Sequence, residues 1–363
     1  MSESLLRVEN LHTRFDSDQG TVDAVNGVSF TVDRAEIVGI LGESGSGKSA
    51  TAQSICRLEA PGKIVDGSIT FAGRELTTAS EATLCRLRGN SISMVFQDPT
   101  ETLNPVFSVG EQIAESVRIH ESSGKQRLLD FLGVSPFRDR SAWENARERA
   151  IELMEQVGIP NPDASVSSFP HELSGGLRQR AVLATALASE PALLIADEPT
   201  TALDTTTQAD ILRRLRSLRD EQNTSILLIS HDIGVIAQTC DRVVVLYDGQ
   251  VMEAGPVERI LTAPKHPYTR ALLSCSVRNS DADERGHSAM ARPQDHTGSH
   301  EGCPLADHCQ HVTDACRSGP IQTTEAASDH RLACVEAPVS EAQSVSEQQE
   351  RPAADGGQQH DTA

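Results

Sequence analysis

An α/β fold built on a parallel central sheet is what this sequence predicts, and three observations predict it. The apolar stretch Glu36–Leu41 (EIVGIL) runs directly into a glycine-rich loop and then a helical pattern. Two later apolar runs, Leu193–Ala196 and Ser225–Ser230 (SILLIS), are each followed by a helical pattern, as buried parallel strands are. Residues 5–40 alternate apolar and polar, which adds a smaller antiparallel β part. A chain of 363 residues with 38% hydrophobic content fits one large domain plus an extension.

In chain order, LLRVENLHTRF and VDAVNGVSFTV read as strands around the turn-like DSDQG. Residues Ser49–Leu58, after the glycine-rich loop, read as a helix. A mostly helical block spans about 98–180. Within it Ser108 and Glu111 form a capping box ahead of Val109, Ile113 and Val117 on one helical face. Ala150, Leu153, Met154 and Val157 make a second stripe that Gly158 ends, and residues 121–145 read as a polar, irregular insertion. The strand Arg242–Leu246 stops at the turn Asp248-Gly249, and compact α/β order continues to about Ser276. Residues 277–301 read as a polar linker, 302–340 as a cysteine-rich extension and 341–363 as a disordered acidic tail. There are no internal repeats.

The charge balance is 32 basic against 52 acidic residues, a net of −20. A chain this acidic is repelled by nucleic acid and by anionic lipid, and 3% aromatic content leaves few platforms for stacked bases, so no nucleic-acid partner is expected. Four of the basic residues are lysines (Lys48, Lys63, Lys125, Lys265) and the other 28 are arginines. A lysine-poor acidic surface resembles those of proteins adapted to high internal salt; an ordinary acidic surface is the alternative. The N-terminus MSESLLRVEN has no basic-then-apolar leader, and no run approaches the ~18–20 apolar residues of a spanning helix. A soluble chain that meets a membrane only through another protein is expected.

Gly42-Glu43-Ser44-Gly45-Ser46-Gly47-Lys48-Ser49 fits the phosphate-binding pattern G-x-x-x-x-G-K-[ST]. Its glycines let backbone N–H groups converge on phosphate oxygens, Lys48 neutralises the β and γ phosphates, and Ser49 ligates Mg²⁺. The strand Leu193–Ala196 delivers Asp197 and Glu198 at its C-terminal end, where ligands sit in open α/β sheets. Asp197 suits a Mg²⁺ shell and Glu198 suits polarising an attacking water; a solvated acidic pair is the plainer reading of these two alone.

Between these motifs stands Leu173–Arg180 (LSGGLRQR), which resembles the signature motif of ATP-binding cassette proteins. The resemblance covers about residues 5–275 and extends to Gln97 in VFQDP, to Thr201–Asp204 (TALD) and to His231 after SILLIS. It implies a P-loop ATPase core with an antiparallel β-subdomain and a helical subdomain, residues 1–276 forming the ATP-binding domain. It implies that two ATPase chains face head to tail, so that Ser174, Gly175, Gly176 and Gln179 meet the ATP held by the partner's phosphate loop. Gln97 is then the glutamine that meets Mg²⁺ and the lytic water, Asp204 crosses the dimer seam, and His231 holds the γ-phosphate and attacking water. Phe15 occupies the position that stacks on adenine. The departures are slight: Leu177, Ser230 and Phe15 stand where Met, Thr and Tyr are commoner, and none removes a charge at the phosphates.

Leu103-Asn104-Pro105, Cys240-Asp241-Arg242 and His266–Leu273 (HPYTRALL) narrow the resemblance to ATPases of oligopeptide, dipeptide and nickel importers. The approach Arg88-Gly89-Asn90 is similar to the first ATPase of such a pair. This resemblance implies a paralogous second ATPase, two integral membrane permease subunits and, indirectly, an external solute-binding protein, with this chain peripheral at the cytoplasmic face. Nickel or another small solute is the alternative cargo. A soluble, non-transport cassette protein is the rival class, though such proteins usually carry two cassettes or a long coiled-coil insertion, and neither is present. The cysteines Cys303, Cys309, Cys316 and Cys334 resemble the C-terminal extension of these importer ATPases. In a reducing compartment four thiolates suit a [4Fe–4S] cluster or Zn²⁺; unligated thiols are the remaining alternative.

Overall fold

The computed structural model describes residues 4–17, 20–121, 140–201 and 203–278, and in the C-terminal part residues 302–319, 321, 323–327 and 329–335. The expected tail 341–363 and most of the expected linker and insertion lie outside them.

Strands β1 (Leu6–Ser17), β2 (Gly20–Val32), β4 (Lys63–Phe71) and β5 (Arg74–Glu75) form one antiparallel sheet in the order β2-β1-β4-β5. Among the described residues the second sheet has eight strands. Its centre, β9-β3-β8-β7-β6, is parallel, made of β3 (Ile37–Leu41), β6 (Ile92–Val95), β7 (Leu193–Asp197), β8 (Ser225–Ser230) and β9 (Arg242–Tyr247). Antiparallel β10 (Gln250–Pro256), β12 (His330–Leu332) and β11 (Thr324–Ala327) extend it on the β9 side.

The parallel strands read as unbroken apolar runs because both of their faces are covered. Alternate residues go to two different cores: Leu194, Ala196, Ile226 and Leu228 to one, and Leu193, Ile195, Leu227 and Ile229 to the other. The first core is shared with the helical block and the second with the antiparallel sheet. A hydrophobic contact network of this kind on each face fixes where the loops at the C-terminal strand ends converge.

In the helical block, α4 (Val109–Glu121) starts on the capping box: Ser108 N–H donates to Glu111 Oε2 at 2.8 Å and Glu111 N–H to Ser108 Oγ at 3.2 Å. Val109, Ile113 and Val117 are buried against Ala150, Leu153 and Met154 of α5 (Arg140–Gln156). The irregular stretch expected to run to 145 is therefore corrected at its end. Helix α5 begins at Arg140, and Trp143, whose ring lies 4.4 Å from the Arg118 guanidinium, anchors that turn to α4.

The short strand β12 pairs with β10 through Glu253↔Leu332 and Ala254↔Arg331, so the C-terminal part joins the main sheet edge. Three polar side chains make that joint. Glu253 and His330 are fully buried, with His330 Nε2 2.7 Å from Glu253 Oε1, and Glu253 also accepts the backbone N–H groups of Lys265 (2.7 Å) and His266 (3.1 Å). Buried His266 is held neutral, its imidazole pushed down to about 4 by burial. Among the described residues no helix is long and apolar enough to cross a membrane.

Candidate functional site

Strand β3 ends at Leu41 and α1 (Lys48–Ile55) begins at Lys48, so the glycine-rich loop turns between a buried strand and a helix N-terminus. Gly47 adopts φ 93°, and a Cβ there would lie 2.3 Å from the Ala24 carbonyl; Gly42 would meet the Leu246 carbonyl at 2.4 Å. Both positions require glycine. The loop is pinned from outside by Gly249 N–H donating to Ser46 O (3.0 Å). Lys48 Nζ donates to Gly42 O (2.9 Å) and Glu43 O (2.7 Å), which curls the loop around its own ammonium. Burial lowers the Lys48 pKa against the pull of Glu198, Asp197 and Glu43.

Asp197, at the end of β7, is buried, and burial raises its pKa although Ser49 hydrogen-bonds it. Its Oδ1 has no hydrogen-bond partner, and neither does the buried Ser46 Oγ. Two unsatisfied buried oxygens beside a lysine and a serine at a helix start fit a cation–phosphate pair: Ser49 and Asp197 would hold Mg²⁺ and the loop would hold the phosphates.

Glu198 follows in a left-handed backbone conformation, φ 47°, uncommon for a non-glycine residue. Its N–H donates to Ile229 O at 3.0 Å. Its carboxylate gathers three side chains: Gln97 Nε2 at 3.1 Å, Thr201 Oγ1 at 2.9 Å and His231 Nδ1 at 3.0 Å. Burial works to raise its pKa, but the hydrogen bonds from His231 and Thr201 outweigh it, and the group stays ionised. Gln97 after β6, Glu198 after β7 and His231 after β8 thus meet because three adjacent parallel strands end side by side. Sequence reading places Thr201 only at the start of the TALD stretch and misses its bond to Glu198; a hydroxyl three residues past the carboxylate is the available signal.

The signature turn lies elsewhere. Ser174 Oγ caps α7 (Gly175–Leu187), accepting from Leu177 N–H at 3.4 Å, and Ser174 and Gly175 are exposed. A Cβ on Gly176 would lie 2.5 Å from Thr207 Cγ2, so the turn packs on the start of α8 (Thr205–Gln222), which Asp204 caps through Thr206 N–H (3.1 Å) and Thr207 N–H (3.0 Å). Gln179, expected at the same contact, lies deeper than the turn. It is buried in α7 with Nε2 unpartnered, so it does not share the exposed face of Ser174 and Gly175. Phe15 is half-buried on β1 against Gly62, two residues from Thr13, whose hydroxyl lies 2.8 Å from Ser54 Oγ on α1.

Cys303, Cys309, Cys316 and Cys334 line one cavity of about 50 Å³ together with His266 and Arg270. Burial pushes the Cys303 thiol up to about 11, reinforced by the neighbouring Cys316, Cys309 and Cys334. Among the described residues no three His, Cys, Asp or Glu side chains are grouped so as to hold a metal, these four cysteines included.

A P-loop nucleotide-binding cassette is the class this fold and these loops define. Residues 25–201 match the family model described as ABC transporter, and residues 252–316 match that of the oligopeptide/dipeptide transporter C-terminal region. The chain is 45% identical over 305 residues to the oligopeptide transport ATP-binding protein OppD of Bacillus subtilis, covering 83% of this chain and 80% of that protein. It is 40% identical to OppD of Haemophilus influenzae over 88% of this chain and 94% of that protein. Among solved structures, a dimeric post-hydrolysis state of the ATP-binding cassette MJ0796 with ADP and Pi matches at TM-score 0.58 and 25% identity, over 69% of this chain and 98% of that one. The protein cbiO1 of Clostridium perfringens, part of an ABC transporter complex, matches at TM-score 0.57 and 25% identity over 79% and 98%. The chain belongs to the ABC transporter ATP-binding proteins, on the branch that carries the oligopeptide/dipeptide transporter C-terminal region.

Proposed function

We propose that this chain is the ATP-hydrolysing motor of a peptide importer. The observation that carries the reading is Glu198: an ionised carboxylate beside Lys48 and Asp197, oriented by Gln97, Thr201 and His231. A carboxylate so held can accept a proton from water aimed at a γ-phosphate, with Lys48 neutralising charge on the phosphates. Ser49, Asp197 and Gln97 would hold Mg²⁺, which would supply charge neutralisation at the phosphates. Phe15 faces the adenine.

Residues 1–276 act as the ATP-binding domain, with about 98–180 as its helical subdomain. Exposed Ser174 and Gly175 reach the γ-phosphate on a facing chain, and Asp204 lies at the same seam. That facing chain is a paralogous ATPase. Closure of the pair moves the helical subdomains against two permease subunits at the inner face of the membrane. Peptide is the cargo, supported by the relatives' names and by the C-terminal region; nickel is the alternative that the same region admits.

Four cysteines on one cavity support a [4Fe–4S] cluster over Zn²⁺. A zinc ion needs thiolates converging at ~2.3 Å on one point, whereas a cluster gives each thiolate its own iron and accepts a wider set. Cys303, Cys309, Cys316 and Cys334 would hold it, and it would supply a cross-link between the segments that carry them.

The test is reconstitution in vesicles with the two permeases and the binding protein. Oligopeptide should stimulate ATP hydrolysis and accumulate inside; stimulation by nickel alone, or none by either, overturns the peptide reading.

A further inference from the structure

We propose that Tyr268 is a positioning residue for the phosphate loop, its hydroxyl holding the Gly42–Glu43 peptide from the side opposite Lys48. This rests on the nucleotide reading of that loop. The two contacts fall on one peptide plane: Lys48 Nζ donates to Gly42 O at 2.9 Å, and Glu43 N–H donates to Tyr268 Oη at 3.3 Å. A plane fixed at both its carbonyl and its amide cannot swivel, so the first turn of the loop keeps the orientation in which later N–H groups converge. The lysine must share its three donors between these carbonyls and phosphate oxygens. The tyrosine has no second task.

Tyr268 is built to stay where it is. Its side chain is fully buried, its ring centroid lies 4.7 Å from that of Tyr247, and it packs in a core with Leu41, the residue before the loop. It sits at the second position of α11 (Pro267–Arg278), where its N–H donates to His266 Nδ1 at 3.1 Å. The backbone N–H groups of Lys265 and His266 are in turn fastened to Glu253, and Glu253 to His330. The hydroxyl is therefore the end of a rigid brace that runs from the C-terminal strands, past the cysteine cavity, to the base of the nucleotide loop. Cys303 and Cys309 pack against the same core. The segment His266–Tyr268 looks from sequence like a subfamily marker; in the fold it is the piece that touches the phosphate loop.

Tyr268→Phe keeps the ring and removes the one atom that makes the contact. On the full chain, Mg-ATP should bind about fivefold more weakly, the loss of one hydrogen bond that holds a part-buried N–H of the loop in place. In the assembled transporter KM for ATP should rise by the same factor while kcat falls less than twofold, and the nucleotide-free chain should melt no more than about 2 °C below wild type, the shift that one lost hydrogen bond produces in a chain of this size. A purely structural role would lower the melting temperature and leave KM alone. Lys48→Ala, measured alongside, should lose ATP affinity outright. If Lys48→Ala binds ATP normally, the nucleotide reading itself fails. If Lys48→Ala loses binding and Tyr268→Phe equals wild type, or if Tyr268→Phe changes only the melting temperature, the positioning role is overturned and the nucleotide reading stands.

Discussion

Replacing His330 with alanine removes one partner from a carboxylate that has no contact with water. His330 and Glu253 side chains are 1% and 0% exposed and lie 2.7 Å apart. Stripping one member from a buried hydrogen-bonded pair typically costs ~1–3 kcal/mol, and more where the group left behind is charged. Glu253 keeps two backbone donors, Lys265 N–H and His266 N–H, but its Oε1 loses a side-chain partner 2.7 Å away with no water in reach, which puts the cost at the upper end, about 3 kcal/mol. With an unfolding entropy of roughly 2 cal/mol/K per residue over about 300 ordered residues, that lowers the melting temperature by about 5 °C. Differential scanning calorimetry of the full chain reads it directly. A double variant, His330→Ala with Glu253→Gln, should recover part of the loss, since the carboxyl group that lost its partner goes too. A shift below about 1 °C in the single variant would refute the packing of β12 on β10, and with it the brace that reaches the phosphate loop.

Other outcomes follow from the same structure. Alkylation at pH 8 should label the exposed Cys85 and Cys275 quickly and leave Cys56 untouched, because burial pushes the Cys56 thiol up to about 12; mass spectrometry of the modified peptides would show it, and early loss of Cys56 would contradict its placement. Prepared without oxygen, the protein should be brown and carry about four irons per chain; a colourless, metal-free preparation removes the cluster reading. Leu194→Ala should cost ~2–5 kcal/mol in urea unfolding, since Leu194 is fully buried in the core shared with the helical block; a loss under 1 kcal/mol would contradict that burial. ATPase activity of the assembled complex should rise with KCl if the net charge of −20 reflects salt adaptation; an optimum at low salt ends that idea.

The central sheet was legible because its strands are buried on both faces, so Ile37–Leu41, Leu193–Ala196 and Ile226–Ile229 carry no polar residue that would blur them. The phosphate loop was legible because Gly42 and Gly47 have no room for a side chain. Strands β10 and β12 were not, because their buried residues at the joint, Glu253 and His330, satisfy each other only across 77 positions of sequence. A polar residue with a distant partner has the same letter as a solvated one. The same blindness applies to Gln179, which sits inside its helix, and to Trp143, whose partner Arg118 extends order into a stretch that reads as irregular. Backbone strain is silent as well: nothing in Asp197-Glu198 announces that Glu198 occupies a left-handed conformation.

Single-turnover ATP hydrolysis by the assembled transporter carrying Glu198→Gln probes the account at its centre. The amide keeps the shape and the hydrogen-bonding reach of Glu198 but cannot take a proton from water, so ATP should bind as tightly as before while hydrolysis slows by at least about a hundredfold. Hydrolysis at the wild-type rate would mean that some other group activates the water.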